Sequence, residues 1–362
     1  MIKKKKILYI VEAMGGGVFT YIVDLANELV NSNDMYIAYG VRKQTPKNFK
    51  NYFDKQIHLI EVRNFGRTIN PMKDIAALFE VKKIVNDIKP DVIHLHSSKA
   101  GVIGRIALNG KIPMFYTPHG YSFLMENCKP IERKIFKYIE LICAKRNCTT
   151  ISCSKGEHQE TLKLTQRATY INNGVNIAEL QKIIDRTETV SHQFTIYTLG
   201  RICYQKNPTL FNSIAKSLPD VKFIWIGDGE LRDELTSNNI EITGWVDRVQ
   251  AIKYAVNADV FLLPSRWEGL PISLLESMYM KKICVVSNVI GNRDVIQNGE
   301  NGFVCSKLSE FINVIRLSQK DETFNIVNRA YQDIVNVYNT KEMSHRYRNI
   351  YMNACSVNKY DN

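Results

Sequence analysis

The stretch Asp259-Val260-Phe261-Leu262-Leu263-Pro264-Ser265-Arg266-Trp267-Glu268-Gly269-Leu270-Pro271-Ile272-Ser273-Leu274-Leu275-Glu276-Ser277-Met278 reads as a buried strand, a loop and a helix. The apolar run 259–263 has strand length, Pro264 ends it, and Pro271 suits the first turn of the next helix. Around Gly269, Leu270, Pro271 and Ile272, helix amides left unpaired as far as Ser273 would face an anion such as a phosphate. Glu276, one turn into the helix, is placed to reach a ribose, and Glu268 in the loop to hold sugar hydroxyls. The rival reading makes both glutamates ordinary solvated charges. Glu276 argues against it, because it sits among Leu274, Leu275 and Met278, where a buried carboxylate needs partners.

Outward from this stretch the same alternation repeats, which predicts parallel sheets wrapped by helices. Strands are expected at 6–11, 35–39, 57–62, 91–95, 113–117, 149–153 and 168–172. A second series follows at 195–199, 221–226, 240–243, 259–263, 283–286 and 302–304. Residues 177–193 lack a strand and turn polar, which marks a boundary, and beyond about 307 the pattern is helical. The chain of 362 residues with 45% apolar content suits two such domains. Ligands in open α/β sheets bind beyond the carboxyl ends of strands, so the loops there should carry the chemistry.

No apolar run approaches the ~20 residues needed to span a bilayer. Lys3 to Lys6 followed by Ile7 to Val11 meets Glu12 too early for a signal peptide, so a cytoplasmic location is expected. Eight cysteines, at 128, 143, 148, 153, 203, 284, 305 and 355, form no C-x-x-C pair and read as reduced thiols. The net charge of +12 lies in one half. Residues 1–172 hold 27 Lys and Arg against 15 Asp and Glu, whereas residues 173–362 hold 21 against 21. A basic N-terminal half points to a polyanion, such as an acidic membrane surface, a phosphorylated acceptor or nucleic acid, with a solvated basic surface as the alternative.

Several loops add to this picture. After the first strand, Glu12-Ala13-Met14-Gly15-Gly16-Gly17 opens a helix, and its three glycines permit a phosphate or sugar to lie against backbone. Leu199-Gly200-Arg201-Ile202-Cys203-Tyr204-Gln205-Lys206-Asn207-Pro208 places two cations after a strand, where Arg201 and Lys206 would clamp a diphosphate. Ile226-Gly227-Asp228-Gly229-Glu230 brings backbone near a nucleoside, and Gly244-Trp245-Val246-Asp247-Arg248 would help frame a base. In the N-terminal half, Tyr116-Thr117-Pro118-His119-Gly120 puts His119 at a strand end, facing the reacting sugar. His94-Leu95-His96 share a strand face, but no third ligand has a suggestive spacing and no D-x-D carboxylate pair occurs, so no metal is expected. Ser97-Ser98-Lys99 reads as a helix cap whose lysine would touch an anionic acceptor. Lys129 to Arg146 reads as a basic amphipathic helix, its isoleucines (131, 135, 139, 142) in the core and its cations free to rest on anionic headgroups.

The motifs E-G-L-P-I-S-L-L-E, L-G-R-x4-K-N-P, the glycine-rich first loop, T-P-H-G and N-N-G-V at 172–175 together resemble the retaining glycosyltransferases of family 4. The resemblance runs through nearly the whole chain. It implies the GT-B fold: two Rossmann-like doubly wound α/β domains facing a central cleft, with a last helix that returns to the N-terminal domain. The expected bounds are 1–176 for the acceptor domain, 177–340 for the nucleotide-sugar domain and 341–362 for the returning helix.

By the same resemblance Glu276 holds the ribose, Glu268 contacts the donor sugar, and Arg201 with Lys206 grips the diphosphate, flanked by Gly200, Asp228, Gly229, Val246, Gly269, Leu270, Pro271 and Ile272. Gly15, Gly16 and Gly17 approach the diphosphate and acceptor. His119 lies near the anomeric carbon, with Ser98 and Lys99 on the acceptor side. His119, Arg201, Lys206 and Glu268 would carry the catalysis.

The implied reaction moves a sugar, with retention, from a nucleotide-sugar onto a glycan or lipid-linked saccharide, as in bacterial surface polysaccharide synthesis. UDP is expected by family frequency, with GDP or ADP as alternatives. No cofactor, no metal and no nucleic-acid partner are expected, and the oligomeric state stays open. One departure concerns Gly291-Asn292-Arg293-Asp294, where relatives often show two glycines and a glutamate. A nucleotide-sugar 2-epimerase shares the architecture but needs no acceptor, and a non-catalytic anion- or membrane-binding protein would not need the ordered loops.

Overall fold

In the computed structural model, residues 4–12, 14–42, 45–66, 70–190, 193–320 and 324–357 are described. Ala13 of the glycine-rich loop, Lys3 of the basic start, and Ser191 and His192 of the expected boundary segment lie outside them. The chain forms two units. One comprises Met1–Leu124, Cys128–Asn173 and Thr340–Asn362, and the other Met125–Asn127 and Gly174–Asn339.

The first unit is built on a seven-stranded sheet: β1 (Lys5–Val11), β2 (Asn33–Tyr39), β3 (His58–Glu61), β4 (Val92–His96), β5 (Met114–Thr117), β6 (Thr149–Ser152) and β7 (Ala168–Tyr170). Its order is β3-β2-β1-β4-β5-β6-β7, and every pairing is parallel. Both faces of β1 are covered, which is why Ile7 to Val11 is an unbroken apolar run. Ile7, Tyr9 and Val11 join a core with Ile22, Leu25, Met343, Tyr347 and Tyr351, so the helices Gly16–Leu29 and Thr340–Val357 lie on that face. Leu8 and Ile10 meet Val81, Val85 and Ile103, from the helices Pro71–Ile88 and Ser98–Ala107 on the other. The last helix thus belongs to the N-terminal unit.

The second unit repeats the plan with β8 (Thr195–Leu199), β9 (Lys222–Ile226), β10 (Ile240–Ile242), β11 (Val260–Leu263), β12 (Ile283–Ser287) and β13 (Phe303–Cys305), in the order β10-β9-β8-β11-β12-β13. Ile196, Phe223, Trp225, Val260, Leu262 and Val285 pack on Phe211, Ile214, Phe311 and Ile315 of two helices. The opposite face receives the helix Ile272–Tyr279, where the Tyr197 hydroxyl donates to Ser277 Oγ at 2.6 Å.

Both sheets reverse direction of growth at one point, beside β1 and β4 in the first and beside β8 and β11 in the second. Loops leaving adjacent strands diverge there and open a crevice at the carboxyl edge. Register aligns these edges: Val11 pairs with His96 and His96 with Thr117, while Leu199 pairs with Ile226 and Leu263 with Val286.

One expectation is overturned. Ile131, Ile135 and Ile142 of the helix Pro130–Cys143 are 60%, 51% and 49% exposed and lie outside the core. The inward stripe is Arg133, Phe136, Glu140 and Cys143, with Ile139 half-buried. The buried Arg105 pairs with Glu140 at 2.7 Å, and the Tyr116 hydroxyl donates to the same carboxylate at 2.9 Å. A carboxylate drawn inside by these partners turns the apolar flank of the helix outward.

Candidate active site

At the crevice of the second sheet, the loops after β8 and β11 are stitched together. Lys206 Nζ donates to Glu268 Oε1 at 2.7 Å, and both side chains are largely enclosed. Gln205 donates to the Trp267 carbonyl at 3.0 Å, its own carbonyl accepts from Arg266 N at 2.8 Å, and the Arg266 guanidinium lies 4.3 Å from the Tyr204 ring centre. Asn207, in the left-handed region at φ 55°, accepts from Leu210 N and starts the helix Pro208–Ser217.

Glycines let these loops close on each other. A Cβ on Gly227 (φ +136°) would stand 2.3 Å from the Gly200 carbonyl oxygen, and one on Gly291 (φ +86°) 2.1 Å from that of Gly269. No side chain fits at either place.

Glu276 is buried, and Arg248 Nη1 lies 2.6 Å from its Oε1. Pro271 precedes the helix Ile272–Tyr279 without a side-chain cap, and of its first amides Leu274 N donates to the Pro271 carbonyl at 3.1 Å. Leu270 and Ile272 are buried. Arg201 is half-buried, its Nε 3.9 Å from the exposed Glu230 carboxylate. Asp228 holds Gly229 N at 2.8 Å and Arg232 at 2.9 Å, and Val246 is half-buried next to the 64% exposed Trp245. Asn292 donates to the Ser287 carbonyl at 3.1 Å, and the Asp294 carboxylate accepts from Gly291 N at 3.3 Å, so both serve the turn after β12.

In the first unit the helix after β1 starts at Gly16 with Gly15 as an uncapped N-cap. Gly16 and Gly17 are exposed, and the space where their Cβ atoms would stand is open. The loop is braced from below, where the buried Glu12 is paired with Arg42, and Thr45 Oγ1 donates to the Met14 carbonyl at 2.6 Å.

His119 has φ 55°, and the following amide, Gly120 N, donates to the buried Glu157 at 2.7 Å. Its ring contacts Tyr21 at 4.6 Å, and its Nε2 lies 3.1 Å from His96 Nδ1. Part of its surface is open, yet desolvation holds its pKa down to about 3, so the imidazole is neutral near pH 7. Ser98 Oγ accepts from Ser122 at 3.2 Å, and Lys99 is matched by Asp74 at 2.7 Å and the Gly66 carbonyl at 2.6 Å. Among the described residues no group of three or more His, Cys, Asp or Glu is placed to hold a metal ion. His94 instead meets the Tyr351 hydroxyl at 2.6 Å and that of Thr117 at 2.9 Å.

Two family models match, Glycosyltransferase Family 4 over residues 15–179 and Glycosyl transferases group 1 over residues 193–319. The chain is 30% identical over 341 residues to the UDP-Gal:alpha-D-GlcNAc-diphosphoundecaprenol alpha-1,3-galactosyltransferase of Escherichia coli, covering 85% of this chain and 87% of that one. The chain is a family 4 glycosyltransferase.

Its fold is GT-B. Sucrose-phosphate synthase from Thermosynechococcus elongatus superposes with a TM-score of 0.82 at 13% identity, covering 98% of this chain and all of that one. Anabaena HepE, solved in complex with UDP and glucose, gives 0.76 at 17%, covering 96% and 99%.

The geometry of this glycosyltransferase thus joins Lys206 with Glu268 and sets Glu276 in the helix that follows the Glu268 loop, while His119 and the open glycines share the crevice edge of the other sheet. Sequence reading missed the partners. Arg248 stood only among residues framing a base, although Glu276 required a cation. Glu157 follows Ser154 at capping-box spacing, but its carboxylate reaches the Gly120 and Cys153 amides instead.

Proposed function

We propose that this glycosyltransferase moves a sugar, with retention, from a UDP-sugar onto a lipid-linked or glycan acceptor in the synthesis of a surface polysaccharide or glycoconjugate. The observation that carries the reading is the Lys206–Glu268 pair at the crevice of the second sheet, on loops that lead into helix starts, the one at Ile272 without a side-chain cap. The loop after β8 offers a cation to a diphosphate, and the segment after β11 offers helix N–H groups to the same diphosphate and a carboxylate to sugar hydroxyls. The names of the relatives support this choice, since one uses a UDP-sugar and a diphosphoundecaprenol-linked acceptor and the other was solved with UDP and glucose.

In the proposed reaction the bond from the anomeric carbon to the diphosphate oxygen breaks while the acceptor oxygen bonds on the same face. The acceptor proton passes to a phosphate oxygen of the departing UDP. Arg201 and Lys206 neutralise the charge that develops there, Glu276 holds the ribose, and Gly15 to Gly17 let substrate lie against backbone. This donor set contains cations where a metal would otherwise stand, so transfer should survive EDTA.

No helix among the described residues is long and apolar enough to cross a membrane. We place the enzyme on the cytoplasmic face of an anionic bilayer through its basic N-terminal unit. Supporting this, the helices Pro71–Ile88 and Pro130–Cys143 expose Met72, Phe79, Ile131, Ile135 and Tyr138 next to Lys82, Lys134 and Lys137.

The test is transfer from a panel of UDP-, GDP- and ADP-sugars to GlcNAc-diphospho-lipid, with product anomers assigned by NMR. An inverted product rejects retention, and consumption of donor without acceptor to give its 2-epimer rejects transfer. Co-sedimentation that ignores the anionic lipid content of vesicles rejects the bilayer contact.

A further inference from the structure

His96 is fully buried, and its two ring nitrogens stand in unlike surroundings. Nδ1 lies 3.1 Å from Nε2 of His119, whereas Nε2 is enclosed with no hydrogen-bond partner among the described residues. The two rings stack at 5.3 Å and 24°. Tyr9 at 4.7 Å and His94 at 4.0 Å hold the ring of His96 from other sides.

One proton must lie between His96 Nδ1 and His119 Nε2, and its two possible sources are not equivalent. If His119 donates, the proton of neutral His96 sits on Nε2, an enclosed N–H with no acceptor. Orphaned buried N–H groups are rare in proteins and destabilising. If His96 donates from Nδ1, only a lone pair is left idle at Nε2. His119 then accepts at Nε2 and carries its own proton on Nδ1. Burial depresses the pKa of both rings, which excludes a shared charged state near neutral pH.

We propose that His96 is a positioning residue that fixes His119 as the Nδ1–H tautomer, so that His119 presents an N–H donor to a substrate oxygen. His119 Nδ1 makes no hydrogen bond among the described residues, and the ring keeps an open side. The Gly120–Glu157 bond and the positive φ of His119 fix the ring's approach. In this tautomer the outward nitrogen has no lone pair to accept a proton, so His119 polarises and orients an oxygen and is not the base for the acceptor hydroxyl. The consequence for substrate rests on the proposed reading of His119 as facing the sugar, whereas the tautomer itself does not.

The experiment uses the full chain labelled with 15N-histidine, without substrate, at neutral pH. Two-bond proton–nitrogen correlations report the tautomer, and His119 is assigned by the signal lost in His119→Gln. The expected wild-type pattern is Nδ1–H. In His96→Phe, which keeps a ring but no donor, the pattern should shift toward Nε2–H, and in His96→Gln, whose amide still donates, it should stay. With UDP-galactose and GlcNAc-diphospho-lipid as probes, His96→Phe should lower kcat about tenfold at little-changed KM, and His96→Gln should recover most of it. An Nε2–H pattern in the wild type overturns the proposal, as does an unchanged His119 pattern in His96→Phe. If His96→Phe does not fold, the wild type and His96→Gln decide. Absence of any transfer by the wild type would instead count against the glycosyl-transfer probes and leave the spectrum to judge the tautomer.

Discussion

Replacing Lys206 with Met keeps the aliphatic stem and removes one charge from a pair whose atoms lie 2.7 Å apart, with side chains 16% and 7% exposed. Removing one partner of a fully buried pair costs about 3–5 kcal/mol, because the other charge is stranded. Here the residual access of Lys206 and the Gln205 amide, 3.4 Å from Glu268 Oε2, soften the loss to about 2 kcal/mol. For a unit of this size that lowers Tm by roughly 4–8 °C. Glu268→Gln added to Lys206→Met neutralises the stranded carboxylate, so the double variant should regain about 1 kcal/mol or more. Transfer should behave differently. A cation aimed at developing charge is worth on the order of 10²–10³ in rate, and the double variant should not recover it. Calorimetric Tm values and initial transfer rates from UDP-galactose would be compared for the four proteins. Wild-type rates in Lys206→Met, or activity that returns together with stability in the double variant, would refute the reasoning.

The two classes of glycine should separate in the same assays. Gly17→Ala points its methyl into open space, so Tm should hold or rise while transfer falls, and undiminished transfer would deny that substrate approaches this backbone. Gly227→Ala forces a methyl against the Gly200 carbonyl at positive φ and should destabilise the second unit by more than about 2 kcal/mol, read by urea unfolding. Tyr351→Phe leaves the buried His94 Nδ1 without its 2.6 Å partner and should cost about 1–3 kcal/mol, and an unmoved unfolding midpoint would rule out this bond as an anchor of the last helix. For pH, burial lowers His119 from 6.5 to about 3, so the unfolded chain takes up the proton first. The stability this group contributes is full above pH 6.5 and is lost as pH falls toward 3. His119→Gln should flatten that acid limb, and equal slopes in both proteins would contradict the assignment.

What the sequence made legible follows from the range of the forces involved. Strands such as 195–199 and 259–263 announce themselves because both sheet faces are covered, and Lys206 and Glu268 were found because each follows such a strand. Their direct bond was not legible, since it depends on β8 and β11 being neighbours across 62 residues. Arg248 and Glu276 hid for the same reason. The helix Pro130–Cys143 misled because its isoleucine spacing suggests a buried face, whereas one carboxylate with two buried partners, Arg105 and Tyr116, outweighs several isoleucines in setting its rotation. His96 read as one of a strand pair, and only the turn that brings His119 back gave it a partner.

The charges of the site pair with one another. Lys206 neutralises Glu268, and Arg248 neutralises Glu276, so neither carboxylate stands alone in the interior. On the proposed reading, a nucleotide-sugar must replace these bonds with equivalents: phosphate oxygens for Lys206, sugar hydroxyls for Glu268 and ribose hydroxyls for Glu276. A ligand that supplies only the phosphate draws Lys206 away and leaves a buried carboxylate unmatched, and one that supplies only the sugar leaves the cation unserved. Discrimination then arises from the penalty of incomplete exchange more than from the strength of any one contact. The same arrangement stabilises the pre-formed crevice, because Glu268 and Glu276, the two carboxylates assigned to sugar and ribose, each have a partner of opposite charge.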